Sequence, residues 1–536
     1  MTALIGLLER DSLLLLFLVA ALGYLLGQVR VRGFGLGVAA VLFVGLGFGA
    51  LSPLLKLPDF VYQFGLVLFV YTIALASGPG FFAALRRRGL GDNLLVGGVL
   101  GAVALLAWLL GRLLGLEGGF QAGLLAGALT NTPALAGVIE TLQARGASAT
   151  LLGQPVAAYA LAYPVGVVGM LLALHLAWRV WGKHQPAEAG SEIEVRTLEV
   201  GQCDLTGLTL EELLRAKGWH VVFGRYRRGA EVRLATPDLR LAVGDRITVV
   251  GLASDLEPVA QALGRWVPES LEQDRQTLDF RRVFLSNPKV AGHTLGELDL
   301  PRRLGVVATR IRRGDLEFLP EPRTVLELGD RVRVLGPKER IAEASRYLGD
   351  SYRALSEVDV LSFGLGIALG LLLGNLSLPL PGGGGFKLGL AGGPLVVGLV
   401  LGALNRSGPV LWQLPYNANL TLRQLGVILF LAGIGLRSGY TFVQTLTQGG
   451  ALTLFLTGAA LTLSAAFLTL WIGHRLLGIR LETLSGLLAG LQGQPAVLAF
   501  ALEKAGNERP NLGYATVYPL AMLLKILFAQ LLLGGG

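Results

Sequence analysis

Two short segments set polar residues inside apolar surroundings: Leu129-Thr130-Asn131-Thr132-Pro133-Ala134 and Leu491-Gln492-Gly493-Gln494-Pro495-Ala496. Each ends in Pro-Ala, and they interrupt the apolar stretches 120–144 and 483–504. Thr, Asn and Gln supply neutral donors and acceptors. Non-helical backbone at membrane depth is tolerated only where protein or a water-filled cavity surrounds it. Its freed N–H groups and half-helix N-termini favour anions. The chemistry offered is coordination, not bond making. A polar kink that satisfies only its own backbone is the plainer alternative. The duplication of the element favours solute lining by Thr130, Asn131, Thr132, Pro133, Gln492, Gly493, Gln494 and Pro495.

Other side chains join this set. Arg437, near the end of an apolar stretch, offers bidentate geometry to a carboxylate, although an arginine there can also snorkel to the interface. Ser438 follows it, and Ser77 occupies the matching place in the first half. Tyr159 and Tyr163, like Tyr514 and Tyr518, stand four apart on one helix face, each pair followed by a proline. They read equally well as interface anchors and as site-lining groups, and Tyr163 and Tyr518 are the candidates. Lys525, in the last apolar stretch, reads first as a lysine that snorkels to the outer surface, with pairing to the solute or to one of the two interruptions as the alternative. Glu140 and Glu503 are the acidic groups nearest the interrupted stretches, and no acid falls in the middle of an expected span.

The sequence excludes much else. One cysteine, Cys203, allows no disulfide framework, and the five histidines lack metal-ligand spacing, so no metal and no cofactor is expected. No GxGxxG, Walker A or nucleophile-elbow motif occurs, and no enzyme constellation emerges. The net charge of +9 does not indicate nucleic acid, because residues 183–357 hold 27 basic and 27 acidic residues and the excess lies wholly outside them. Excess positive charge between apolar segments is a topology signal.

Elements must position these groups. The chain has 536 residues, 52% of them hydrophobic, with 76 glycines. Apolar stretches near the ~20 residues that span a bilayer fall at 12–30, 33–51, 61–80, 94–116, 155–181, 358–376, 388–405, 420–440, 451–473 and 511–533. Residues 12–30 read as a retained first helix, since no basic leader or cleavage site is clear. With the middle region in the cytoplasm and both interrupted stretches re-entrant, twelve basic residues lie inside: Arg30, Arg32, Arg86, Arg87, Arg88, Arg179, Arg406, Arg423, Arg475, Arg480, Lys504 and Arg509. Five lie outside: Arg10, Lys56, Arg112, Arg145 and Lys387. An odd number of spans per half inverts the second half.

The halves also match in sequence. Ala21-Leu-Gly-Tyr-Leu-Leu-Gly27 matches Ala368-Leu-Gly-Leu-Leu-Leu-Gly374, and Gln63-Phe-Gly-Leu-Val-Leu-Phe69 matches Gln424-Leu-Gly-Val-Ile-Leu-Phe430. Gly123-Leu-Leu-Ala-Gly127 matches Gly486-Leu-Leu-Ala-Gly490, Pro133-Ala134 matches Pro495-Ala496, and Tyr159-Ala-Leu-Ala-Tyr-Pro164 matches Tyr514-Ala-Thr-Val-Tyr-Pro519. The middle region repeats at an offset of 85: Arg227-Arg-Gly229 with Arg312-Arg-Gly314, and Leu241-Ala-Val-Gly-Asp-Arg246 with Leu326-Glu-Leu-Gly-Asp-Arg331. Each copy reads as strands split by turns, with helices at 254–263 and 338–348. The paired arginines Arg227, Arg228, Arg312 and Arg313 are candidates for a regulatory anion, with a solvated turn as the plainer alternative. Residues 183–192 form a polar linker.

This layout resembles the aspartate:alanine exchanger family. The resemblance is carried by the duplicated membrane half, Thr130-Asn-Thr-Pro133, Gly435-Leu-Arg-Ser-Gly439, and two central copies similar to the TrkA C-terminal (RCK-C) domain. It covers essentially the whole chain. The first half departs from the pattern, with Ala76-Ser77-Gly78 lacking the arginine. The fold expected is a multi-pass α-helical membrane protein with a 5+5 inverted repeat, two re-entrant segments and two small α+β domains inserted between the halves. The expected domains are 12–182, 193–268, 278–353 and 358–533. The resemblance implies exchange of a small carboxylate or amino-acid substrate across the bacterial inner membrane, and the charge count above sets both termini outside. The central domains are expected to bind a small-molecule regulator or form a homodimer interface. A channel gated by those domains and a sensor without transport are the alternatives.

Overall fold

Long runs of Leu, Val, Ala and Gly favour helices, which satisfy every backbone group without water. The computed structural model describes residues 2–29, 37–86, 89–182, 193–201, 207–273, 277–314, 316–379, 385–447, 450–506 and 509–534. Arg30, Arg32, Arg87, Arg88, the linker 183–192 and Cys203 lie outside them. The first helices are α1 Thr2–Arg10, α2 Ser12–Gln28, α3 Ala40–Leu51, α4 Asp59–Arg86, α5 Leu90–Leu113, α6 Gly118–Ala128, α7 Thr132–Ala144 and α8 Ala149–Trp181. The centre follows with β1 Ile193–Val200, α9 Leu210–Lys217, β2 Val221–Arg228, β3 Glu231–Leu234, β4 Arg246–Leu252, α10 Ala253–Leu263 and β5 Gly264–Val267. Then come β6 Asp279–Phe284, α11 Leu295–Leu298, α12 Leu300–Leu304, β7 Val307–Arg313, β8 Leu316–Phe318, β9 Arg331–Gly336, α13 Lys338–Leu348 and α14 Tyr352–Ser356. The remainder is α15 Val360–Asn375, β10 Ser377–Pro379, β11 Gly385–Lys387, α16 Gly389–Leu404, β12 Arg406–Ser407, β13 Val410–Leu411, α17 Tyr416–Thr447, α18 Ala451–Trp471, α19 Leu481–Gln492, α20 Pro495–Ala505 and α21 Arg509–Gly534.

The chain divides into two compact units. A membrane unit holds Met1–Gln185, Leu361–Leu404 and Leu420–Gly536, and a central unit holds Pro186–Val360 and Asn405–Asn419. Among the described residues, seven helices are long and apolar enough to cross a membrane: Asp59–Gly80, Leu90–Leu113, Ala149–Trp181, Tyr352–Asn375, Tyr416–Thr447, Ala451–Leu476 and Arg509–Gly534. Three further expected spans are shorter apolar helices, Ser12–Gln28, Gly37–Leu51 and Gly389–Leu404. At 1.5 Å per residue, a helix of that size falls short of a ~30 Å hydrocarbon layer. The membrane unit also exposes large apolar side chains, among them Leu13, Phe17, Leu25, Leu94, Leu105, Leu452 and Phe467. An exterior of this kind suits lipid rather than water.

Small residues let these helices touch backbone to backbone. A Cβ at Gly65 of α4 would meet Phe430 N and Gly426 O of α17, and one at Gly426 would meet Phe69 N and Gly65 O. The contact is reciprocal under the exchange of residues 65 and 69 with 426 and 430. In α2, Gly27 abuts the carbonyl of Gly37, as Gly374 of α15 abuts that of Gly389. Gly123 and Gly127 of α6 press on Pro155 and Tyr159 of α8, as Gly486 and Gly490 of α19 press on Pro510 and Tyr514 of α21.

The central unit obeys water-soluble rules. Its first sheet has the antiparallel order β3-β2-β4-β1-β5 and its second β6-β9-β7-β8. With β6, β7, β8 and β9 standing for β1, β2, β3 and β4, the order is the same. The register shifts between Phe223/Tyr226 and Ala308/Arg310 begin 85 residues apart, and the capping boxes at Thr209/Glu212 and Thr294/Glu297 recur at that offset. The helices expected at 254–263 and 338–348 are α10 and α13. Residues 405–419, from between two apolar helices, fold with the second copy. Leu411 enters its core, Arg406 donates to the carbonyls of Pro288 and Ala291, and Leu328 N donates to Gln413 Oε1 at 3.2 Å.

The arginines next to glycine hold these sheets together. Arg228 forks onto Asp245 through Nε at 2.9 Å and a terminal nitrogen at 2.7 Å. Arg313 does the same to Asp330 at 2.8 and 2.7 Å and also reaches Glu327 at 2.5 Å. Asp245 accepts from Ala242 N and Asp330 from Glu327 N, both at 2.8 Å, which closes the turn before β4 and β9. Arg227 forks onto Glu269, which also receives Arg246, and Arg312 donates to Gly314 O at 3.1 Å. A role in anion binding would have to compete with these pairs.

Removing one partner of a buried pair costs about 3–5 kcal/mol. Asp330→Ala is therefore expected to destabilise the β7–β9 sheet by that order, because Asp330 is fully enclosed and Arg313 is largely covered. Asp245→Ala costs less, because half of Arg228 reaches solvent. Hydrogen exchange on the detergent-solubilised chain reads the difference. The hydrogen bond from Arg227 holds Glu269 below its ordinary value of 4.5, opposed by burial and reinforced by Arg246. A carboxylate depressed in the folded state stabilises above its unfolded pKa and loses that contribution as pH falls. Protection of β2 and β4 is accordingly expected to fall below about pH 4.5, and Glu269→Gln is expected to flatten that acid limb.

Candidate functional site

The helix breaks are where chemistry-bearing groups converge. Helix α6 stops at Ala128, and Thr130 takes a left-handed φ of 47°. Asn131 then caps α7, its Oδ1 accepting from Ala134 N at 2.7 Å, and Pro133 occupies the first turn, where no N–H is needed. Helix α19 stops at Gln492, and Gly493 turns the chain with φ 74°. Gln494 precedes Pro495 and α20. Gly493 is the residue type that a left-handed turn at a helix end favours, whereas Thr130 takes the same region despite its branched Cβ.

The two breaks touch. Thr130 Oγ1 donates to Gln492 O at 3.2 Å. Gln492 Nε2 donates to Ala128 O at 3.3 Å and to Gly166 O of α8 at 3.1 Å. Thr462 of α18 also donates to Ala128 O, at 3.1 Å. Gln494 Nε2 donates to Tyr163 OH at 3.2 Å, and Thr132 Oγ1 shares a 2.9 Å hydrogen bond with Tyr159 OH. Tyr159 and Tyr163 are buried with ring centroids 5.3 Å apart, so they are not interface anchors. Tyr514 and Tyr518 stack at 4.9 Å, and the Tyr518 ring lies beside Gly493.

Lys525 follows the second of its two sequence readings, pairing with a break rather than snorkelling. It does not snorkel: it is 2% exposed, and its Nζ donates to Leu491 O at 2.7 Å and Gln492 O at 3.0 Å. The carbonyl end of a broken helix captures the ammonium, and nothing in the sequence around Lys525 shows that α19 ends beside it. A lone lysine in a long apolar helix was the available signal. Thr462 and Gly166 gave none.

Other candidates stand elsewhere. Arg437 pairs with Asp59 at 2.5 Å and lies over the Tyr62 ring, with no described contact to either break. Ser77 and Ser438 sit beside Gly78 and Gly439, where α4 crosses α16 and α17 crosses α3. Glu140 accepts from Ala391 N at 2.7 Å, at the start of α16, and Glu503 is exposed.

Known proteins agree with this architecture. A family model described as the predicted permease membrane region, of the aspartate–alanine exchanger type, matches residues 15–178 and 362–534, and the TrkA-C domain model matches residues 280–349. An uncharacterized transporter of Geobacter sulfurreducens is 51% identical over 99% of both chains. One from Symbiobacterium thermophilum is 48% identical over 99% of both chains, and one from Corynebacterium glutamicum is 42% identical over 98% of this chain and 99% of its own. Matches that cover both membrane halves and the centre leave one reading: the chain belongs to the aspartate:alanine exchanger family of predicted permeases, with a TrkA-C domain in its central region.

Proposed function

We propose that the protein is a secondary active transporter that exchanges small amino acids or dicarboxylates across the bacterial inner membrane. The observation that carries this reading is the meeting of the two helix breaks through Thr130 and Gln492, ringed by Gln494, Tyr163, Thr132 and Tyr159. Polar groups and half-helix ends that converge among apolar helices form the type of site that carriers use near the bilayer midplane. The breaks are read as the tips of two re-entrant segments.

The 5+5 inverted repeat is part of the proposal. The reciprocal contact of Gly65 and Gly426 is what a two-fold relation between α4 and α17 requires. The matched packing of Gly27 with Gly374 and of Gly127 with Gly490 supports the same relation. The positive-inside count supports an orientation with both termini outside and the central unit in the cytoplasm. There the RCK-C-like copies act as the regulatory element. A small-molecule regulator and a homodimer interface belong to them, and the arginine turns at Arg227, Arg228, Arg312 and Arg313 are proposed contact points that would exchange their internal carboxylates for the regulator. Asn131 and Gly493 shape the tips, and Ser77, Ser438 and Tyr518 flank the path. Arg437, paired with Asp59, is assigned to holding α17 against α4 rather than to first contact with solute.

Two measurements test the reading. In proteoliposomes preloaded with unlabelled aspartate, alanine, succinate or glutamate, labelled aspartate is expected to enter only against a loaded counter-solute. Entry that is independent of internal solute, or ohmic current, would replace exchange by a channel. Thr132→Ala and Gln494→Ala each remove one neutral hydrogen bond, worth about 0.5–1.5 kcal/mol. Each is expected to slow counterflow about three- to tenfold without changing the melting temperature by more than a few degrees. Unchanged uptake kinetics would separate the breaks from the solute path.

A further inference from the structure

The two breaks are alike in sequence and unlike in charge. With Tyr159 matched to Tyr514, the place of Lys525 in α21 falls on Met170 in α8, and both side chains are buried. At the first break, Ala128 O is met by neutral donors, Thr462 Oγ1 and Gln492 Nε2. At the second, Leu491 O and Gln492 O are met by the amino group of Lys525. The carbonyl end of a helix carries roughly half an elementary negative charge, so it offsets only part of Lys525. Among the described residues no carboxylate forms an ion pair with that lysine, and a buried charge without a counter-charge is costly.

A second group at the same break is also short of a partner. Gln492 is fully buried, and its Nε2 donates to Ala128 O and Gly166 O, which sets the orientation of the amide. Its Oε1 is buried with no hydrogen-bond donor among the described residues. Gly493, next in sequence, puts no side chain over the ammonium: a Cβ there would lie 3.5 Å from Lys525 Nζ. At this one break, then, stand an amino group whose protonated form lacks a counter-charge and an acceptor lacking a donor.

We propose that Lys525 and Gln492 together select the solute: Lys525 binds its anionic group and Gln492 Oε1 accepts an N–H or O–H from the same molecule. The class is an amino acid or a hydroxy acid, in preference to a plain dicarboxylate of equal size. Lys525 is the specificity-determining charge, and the asymmetry with Met170 gives the site one positive charge rather than two. The inference rests on the breaks forming the solute path, as proposed above.

The test is thermal unfolding of the purified full-length protein in detergent at constant ionic strength, with L-aspartate, L-malate or succinate added. Aspartate or malate is expected to raise the melting temperature at concentrations at least tenfold lower than succinate. Lys525→Met, which installs the residue of the matched position, and Lys525→Gln, which keeps neutral donors for the two carbonyls, are both expected to abolish that shift. Equal responses to all three solutes, or no response, overturn the proposal on the wild-type protein alone. A shift retained in the folded Lys525→Gln variant also overturns it. A lysine-dependent shift without counterflow would keep the anion site and discard the exchanger reading, whereas counterflow unaffected by Lys525→Gln would do the reverse.

Discussion

A helix interrupted among apolar neighbours leaves carbonyls and N–H groups that water does not reach, and each must find a partner inside the protein. In this molecule the partners of one break come from far away in the chain. Ala128 O is served by Thr462 and Gln492, and the end of α19 by Lys525 and Thr130. Helices α8, α18 and α21 are thereby drawn to the same place, since their side chains or backbone complete the breaks. Neither break is complete without residues of the other half.

Small residues make the arrangement possible. Lipid tails are as apolar as leucine, so burial of apolar surface does little to bring membrane helices together, and close packing has to do it. Gly123 and Gly127 allow α6 to lie directly on the backbone of α8 at Pro155 and Tyr159, which brings the Tyr159 hydroxyl to Thr132 and that of Tyr163 to Gln494. Gly486 and Gly490 do the same for α19 on α21, and so set Lys525 beside the end of α19. The high glycine content of the chain is thus a consequence of how near its helices must approach, not of flexible linkers.

The central unit follows different physics. Its stability rests on apolar sheet faces closed by charge-assisted turns, with Arg228–Asp245 and Arg313–Asp330 repeating one device. The same turns that read as anion sites are thus already occupied by carboxylates of their own sheets. The segment 405–419 joins this unit through Leu411, Arg406 and Gln413 although it is flanked by α16 and α17. Polar residues around one buried leucine and a tryptophan, Trp412, suit a docked hairpin better than a free loop.

Much of this was legible in the sequence. Apolar length located the membrane helices, and matched strings such as Tyr159–Pro164 and Tyr514–Pro519 marked elements that later pack alike. The 85-residue offset anticipated two sheets of one topology, because local turn and cap residues dictate local structure. The polar breaks announced themselves by Thr, Asn and Gln before proline. What only the tertiary structure decided was partnership. Arg437 found Asp59, Lys525 found the end of α19, and Thr462 found Ala128. These pairings join residues 33 to 378 positions apart, and no local pattern encodes which distant helix end a buried donor will meet.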